Sequence, residues 1–141
     1  MSYNKLIIYT DGGARGNPGP AGIGAVIYDE QKNIVAEISE YIGETTNNQA
    51  EYKAVIAAIA KAKKLGAQEL DFYLDSELVV RQLNREYKVK NNGLAPLFVQ
   101  VYNAVLSFKK VSFSHIRREM NKEADRLVNL AIDNRVCSSA G

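Results

Sequence analysis

The sequence predicts an α/β domain, a mixed five-stranded sheet with helices on both faces. Three observations predict it. Three β-rich runs follow one another closely in the first third of the chain, separated by turn residues. Strand-like and helical stretches then alternate to the end. The resulting order, βββ-α-β-α-α-β-α, makes the first three strands an antiparallel meander. A strand that returns across a helix must instead run parallel to its neighbour.

Each element has its own signal. Residues 5–10 hold the apolar run Leu6-Ile7-Ile8 and read as a buried strand that ends on Asp11 and a glycine-rich turn. Residues 23–28 and 34–42 are two further strands around the turn residues 29–33. Residues 47–65 are alanine-rich helix formers stopped by Gly66, which suits a left-handed cap. Residues 70–75 read as a strand and 77–83 as a short helix. Leu94, Leu97, Phe98, Val101, Val105 and Phe108 recur at three- and four-residue spacing and mark an amphipathic helix. Residues 110–116 return to strand character, and 122–132 form the last helix.

With 141 residues and 46% hydrophobic content the chain can bury one core. We expect one domain over residues 1–136 and a flexible tail, small and polar, over 137–141. A net charge of +2 permits an anionic partner without requiring one. The single cysteine, Cys137, excludes an intrachain disulfide. No apolar stretch reaches the roughly 18 residues of a membrane span. No signal-peptide pattern opens the chain, so the expected setting is the cytoplasm, away from any membrane.

Four acidic residues stand out by position. Asp11 ends the first strand and Asp75 the fourth, where open α/β sheets bind ligands. Glu51 is in phase with Ala54, Val55 and Ala58, on the helix face that meets the sheet. Asp125 is in phase with Val128 and Ile132 on the last helix. Each has a local alternative. Asp11 can open a turn, Glu51 can complete a capping box with Asn48, Asp75 can cap the helix after it, and Asp125 suits a helix dipole. One explanation covers all four: a divalent-metal site built from hard oxygen ligands.

The phrases YTDGGARGNPGPAGIGAV, TTNNQAEYKAVIAAI, LDSELVVRQL, YKVKN and HIRREMNKEADRLVNLA, in that order over residues 5–134, resemble the signatures of type 1 ribonuclease H. The resemblance implies a ribonuclease H-like fold with strand order 3-2-1-4-5 and endonucleolytic cleavage of the RNA strand of RNA/DNA hybrids, by a monomer. It places the catalytic, metal-binding carboxylates on Asp11, Glu51, Asp75 and Asp125. Two Mg²⁺ ions about 3.5–4 Å apart, for which Mn²⁺ can substitute, would activate a water and stabilise the leaving oxygen, leaving 5′-phosphate and 3′-hydroxyl ends. Asp11, on the central strand, is the expected bridging ligand.

The resemblance also implies substrate contacts. Gly12 and Gly13 let backbone approach a polyanion, and Ala14, Gly16 and Asn17 face the RNA strand, where main-chain groups can read 2′-hydroxyls. Thr46 and Asn91 match a DNA-phosphate pocket; Asn47, Asn48, Ser76 and Glu77 match minor-groove contacts. Glu77 stands where many relatives carry an amide. The lone histidine, His115, falls in a strand, and Arg118 lies in the short H-x-x-R-x-x-N-x-x-A-D segment instead. The tryptophan-rich basic protrusion of many relatives is missing, with only Arg85, Lys88 and Lys90 between Gln82 and Gly93. A non-catalytic hybrid-binding module is the alternative that a metal-dependent cleavage assay separates. An actin-like ATPase needs two such domains, and the loop lacks the order of a P-loop.

Overall fold

The computed structural model describes residues 3–135, so the expected tail at 137–141 lies outside the described residues. The strands are β1 (Lys5–Ala14), β2 (Gly19–Tyr28), β3 (Ile34–Thr45), β4 (Glu69–Leu74) and β5 (Lys110–His115). The helices are α1 (Asn47–Lys64), α2 (Glu77–Leu83), α3 (Ala95–Val105) and α4 (Lys122–Asp133), with one 3-10 turn at Arg118–Met120. The sheet runs β3-β2-β1-β4-β5, antiparallel on the β2 side of β1 and parallel on the β4 side. The predicted architecture and strand order hold.

Two cores sandwich the sheet. Leu6, Ile8, Phe72 and Leu74 are fully buried on the face that meets Tyr52, Val55 and Ile59 of α1, with α3 packed outside α1. Burying one such aliphatic side chain stabilises the fold by about 1.5–3 kcal/mol. On the other face α4 lies directly on β2. A side chain at Gly24 would collide with the Ala124 carbonyl, so the absent side chain lets helix and strand touch backbone to backbone. Among the described residues no helix is long and apolar enough to cross a membrane.

Three strands are longer than expected. β1 does not end at residue 10. Its parallel pairing with β4 stops at Tyr9↔Tyr73, but the antiparallel ladder with β2 continues to Ala14↔Ala21. Asp11 and its glycines therefore lie in a strand, not in a turn. β2 starts at Gly19, which packs against Arg15 across the turn, while Gly22 and Gly24 lie in the strand where α4 packs closely. β3 reaches Thr45 by absorbing a bulge beside Gly43, whose φ of 84° suits glycine. In α3 the α-helix stops at Val105, three residues early. Bonds from Leu106, Ser107 and Phe108 to carbonyls three residues back still bring Phe108 onto the core.

Candidate active site

Beyond Tyr9↔Tyr73 the strands β1 and β4 diverge, and each presents a carboxylate: Asp11 inside β1 and Asp75 one residue past β4. α1 delivers the third. Gly12 lets it do so, since a side chain there would strike the backbone of Ala50 and Glu51. One ligating oxygen from each of Asp11, Glu51 and Asp75 lies within 4.8 Å of the others. Asp125, in the first turn of α4, lines the same cleft of about 530 Å³.

The local alternatives separate here. Asp11 is only 7% exposed. The capping box of α1 is made by Thr46 and Gln49, so Glu51 has no cap to make and is itself 6% exposed. The cap of α2 is Ser76, whose hydroxyl accepts from the Val79 N–H at 3.3 Å. Asp75 is thus free of that role. Only Asp125 keeps its dipole-favoured place at a helix start.

Burial without compensation defines the electrostatics. Glu51 Oε2 is buried with no hydrogen-bond partner. Burial, then the charge of Asp11, holds the Glu51 carboxyl well above its ordinary value. Asp11 is pushed up to about 7 by burial first and by repulsion from Asp75 next, with Asp125 adding to the effect. Asp75 is raised by burial, opposed by a hydrogen bond from Asn121 and by the charge of Arg118. Three carboxylates that resist ionising, one with an orphaned oxygen, fit a divalent cation, which would reverse each of these shifts. A buried charge is stable only when paired with a cation or coordinating a metal.

Most of the expected contact residues surround this centre. Gly12, Gly13, Ala14, Asn47, Asn48, Ser76 and Arg118 line the cleft. Asn47 Oδ1 accepts from the Ala14 N–H at 2.8 Å, while the Asn47 N–H donates to Asn17 Oδ1 at 3.0 Å, so α1 and the β1–β2 turn are tied together. Asn17, Thr46, Asn48 and Asn91 line a separate cavity of about 170 Å³. Gly16, with φ of 109°, shapes the turn and lines neither cavity. Glu77 also lines neither, and its carboxylate pairs with Arg81 at 3.0 Å. The Arg118 guanidinium is 4.0 Å from Asp125 and 83% exposed. His115 is exposed at the end of β5 and lies outside the cleft lining.

Sequence reasoning assigned neither Arg15, which lines the cleft, nor Asn121, which bonds Asp75. Arg15 lines the cleft and bridges to α4, with Nη1 2.6 Å from Asp133 Oδ1 and Nη2 donating to Asn129 Oδ1 at 3.3 Å. A lone base in a glycine-rich loop was its available signal. Asn121, 1% exposed, opens α4 without capping it. Its signal was a polar residue at a helix start.

Comparison with known proteins gives a consistent neighbourhood. Residues 9–131 match a family model described as reverse transcriptase-like. A bifunctional protein of Mycobacterium tuberculosis is 43% identical over 137 residues, which cover 96% of this chain and 38% of that protein. The chain thus spans well under half of that relative's length. A ribonuclease H of Ehrlichia chaffeensis is 33% identical over 145 residues, covering 92% of this chain and 95% of the relative. The crystal structure of LC11-RNase H1 in complex with an RNA/DNA hybrid superposes with a TM-score of 0.88 at 50% identity, covering 93% of this chain and 99% of that one.

Proposed function

Because the chain belongs to the ribonuclease H family, we propose that it is an endonuclease that hydrolyses the RNA strand of RNA/DNA hybrids, leaving 5′-phosphate and 3′-hydroxyl ends. The observation that carries this reading is the convergence of Asp11, Glu51 and Asp75 within 4.8 Å, with burial and mutual repulsion opposing their ionisation. Asp11, Glu51, Asp75 and Asp125 would hold two Mg²⁺ ions, or Mn²⁺ in their place. When bound, such ions supply Lewis acidity to the attacking water and to the leaving oxygen. Asp11 stands on the central strand, with Asp75 just past the neighbouring strand β4 and Glu51 on α1 against the sheet.

The remaining residues position the duplex. The Gly12–Ala14 backbone and Asn17 offer main-chain and amide groups to the RNA sugar edge, where a 2′-hydroxyl distinguishes RNA from DNA. Asn47, Asn48 and Ser76, on the other wall, suit the minor groove. Thr46 and Asn91 offer a neutral hydroxyl and amide to a phosphate of the DNA strand, and this contact adds little salt dependence because neither is charged. The proposal includes action as a monomer in the cytoplasm. Cleavage of an end-labelled RNA/DNA hybrid, beside single-stranded RNA and double-stranded controls, with and without Mg²⁺, tests the reading. Metal-dependent cuts confined to the hybrid are the expected result; binding of hybrid without cleavage would leave a binding module instead.

Arg118 and His115 differ in the same assay. Arg118 lines the cleft and offsets the charge of Asp75 and Asp125, whereas His115 lies outside it. Arg118→Ala is expected to lose roughly tenfold in turnover, about 1.4 kcal/mol of barrier. His115→Ala should stay near the parent. The reverse order would make His115 the proton-handling group and would overturn the assignment of Arg118.

A further inference from the structure

We propose that Asn121 is the positioning residue of this site, fixing the separation of Asp11 and Asp75 by holding the diverging ends of β1 and β4. The inference rests on the reading of the carboxylates as a metal site, and its evidence is geometric. The last parallel pair is Tyr9↔Tyr73, so the Thr10 carbonyl, one residue before Asp11, has no further pairing partner on β4. Asn121 Nδ2 takes that place, donating to Thr10 O at 2.8 Å and also to Asp75 Oδ2 at 3.3 Å. Nδ2 therefore bonds both the strand that carries Asp11 and Asp75 itself. The main chain of Asn121 serves a third carboxylate, since its carbonyl accepts from the Asp125 N–H at 3.1 Å. A single residue thus touches three of the four elements that bring the carboxylates together.

Its side chain is also withheld from the local role that its position invites. Asn121 begins α4, and asparagine is among the best residues at a helix start because its side chain can accept from the first turn's N–H groups. Here it makes no such bond. Its Oδ1 is buried with no hydrogen-bond partner, so the orientation is set by what Nδ2 donates to and not by what Oδ1 accepts. The H-x-x-R-x-x-N-x-x-A-D segment gives this asparagine its role: the arginine and the aspartate line the cleft, and the residue between them bonds Thr10 and Asp75 from outside its lining.

Two variants and one control test the proposal. Asn121→Ala removes both donors. Asn121→Leu is close in size, brings no charge into this buried position, gives up no cap bond because Asn121 makes none, and also lacks both donors. Val101→Ala, in the α3 core away from the cleft, serves as a control of lowered stability. Partners that hydrogen-bond a metal ligand typically contribute about 10–100-fold in metal affinity or activity. Both Asn121 variants, assayed well below their melting temperatures, are expected to lose that much kcat with KM for the hybrid unchanged. The Mg²⁺ concentration for half-maximal rate should rise. In the absence of hybrid, the gain in melting temperature on adding Mg²⁺ should shrink for both variants and stay at the parent's value for Val101→Ala. Parent-like kcat and Mg²⁺ response in the Asn121 variants would reduce the residue to a structural one and overturn the proposal. A parent protein that cleaves no hybrid would instead overturn the nuclease reading beneath it.

Discussion

Asp11→Asn is expected to lower hybrid cleavage by on the order of 10³-fold, the upper range for removal of a single electrostatic contact at a reacting centre, while hybrid binding stays measurable. Asp11 lies on the central strand, and one of its oxygens is within 4.8 Å of an oxygen of both Glu51 and Asp75. Asparagine preserves size and one carbonyl acceptor but removes the charge that would help to hold a divalent ion. The proposed duplex contacts from Gly13, Asn47 and Ser76 are untouched, so affinity measured without metal should change little. Single-turnover cleavage and a filter-binding isotherm on the same variant separate the two effects. Turnover within tenfold of the parent would remove Asp11 from the metal site.

Metal-free protein should melt lower as pH rises from about 4 to about 7, the reverse of what surface carboxylates produce. The folded-state value for Asp11 is about 7 against an ordinary 3.8, so over that window the folded chain holds a proton that the unfolded chain has released. The stabilising contribution is complete below the unfolded value and is lost as pH climbs through the folded one. At 1.36 kcal/mol per unit, Asp11 alone makes this on the order of a few kcal/mol, or several degrees for a domain of this size. Glu51 and Asp75 are shifted in the same direction. Asp133, held low by Arg15, acts oppositely but is exposed. Asp75→Asn should therefore melt higher than the parent in EDTA at pH 8, because the amide carbonyl can still accept from Asn121 while the charge is gone. Mg²⁺ should raise the parent by mass action and the variant less. A parent whose melting temperature in EDTA climbs through this pH range would show that the carboxylates are not strained by one another.

The sequence made the order of elements and the four carboxylates legible because both depend on local pattern. Phase alone put Glu51 on the face of α1 that meets the sheet, and the structure buries it there. The extents of β1 and β2 were not legible. Gly12 and Gly13 read as part of a glycine-rich turn, whereas here they extend a strand that helices approach, a property of partners distant in sequence. The cap of α1 was left open for a subtler reason. Asn48 and Glu51 have capping-box spacing, but so do Thr46 and Gln49, and only the latter pair sits at the first helical turn. Asn121 escaped because its bonds reach 111 residues back to Thr10 and 46 back to Asp75.

The bare backbones at Gly12 and Gly24 constrain how this chain can change. Elsewhere, replacing glycine by alanine where the backbone allows it is a routine way to raise thermal tolerance, worth about 0.4–1 kcal/mol through the unfolded ensemble. At Gly12 a methyl group would meet the Ala50 backbone, and at Gly24 the Ala124 carbonyl, so neither site has room for it. The two helices so displaced are the ones that carry Glu51 and Asp125. An engineer seeking a hardier variant, or a lineage drifting toward one, would meet an all-or-none barrier at these two positions: a change of one carbon atom retunes the spacing of the charges before it alters anything else.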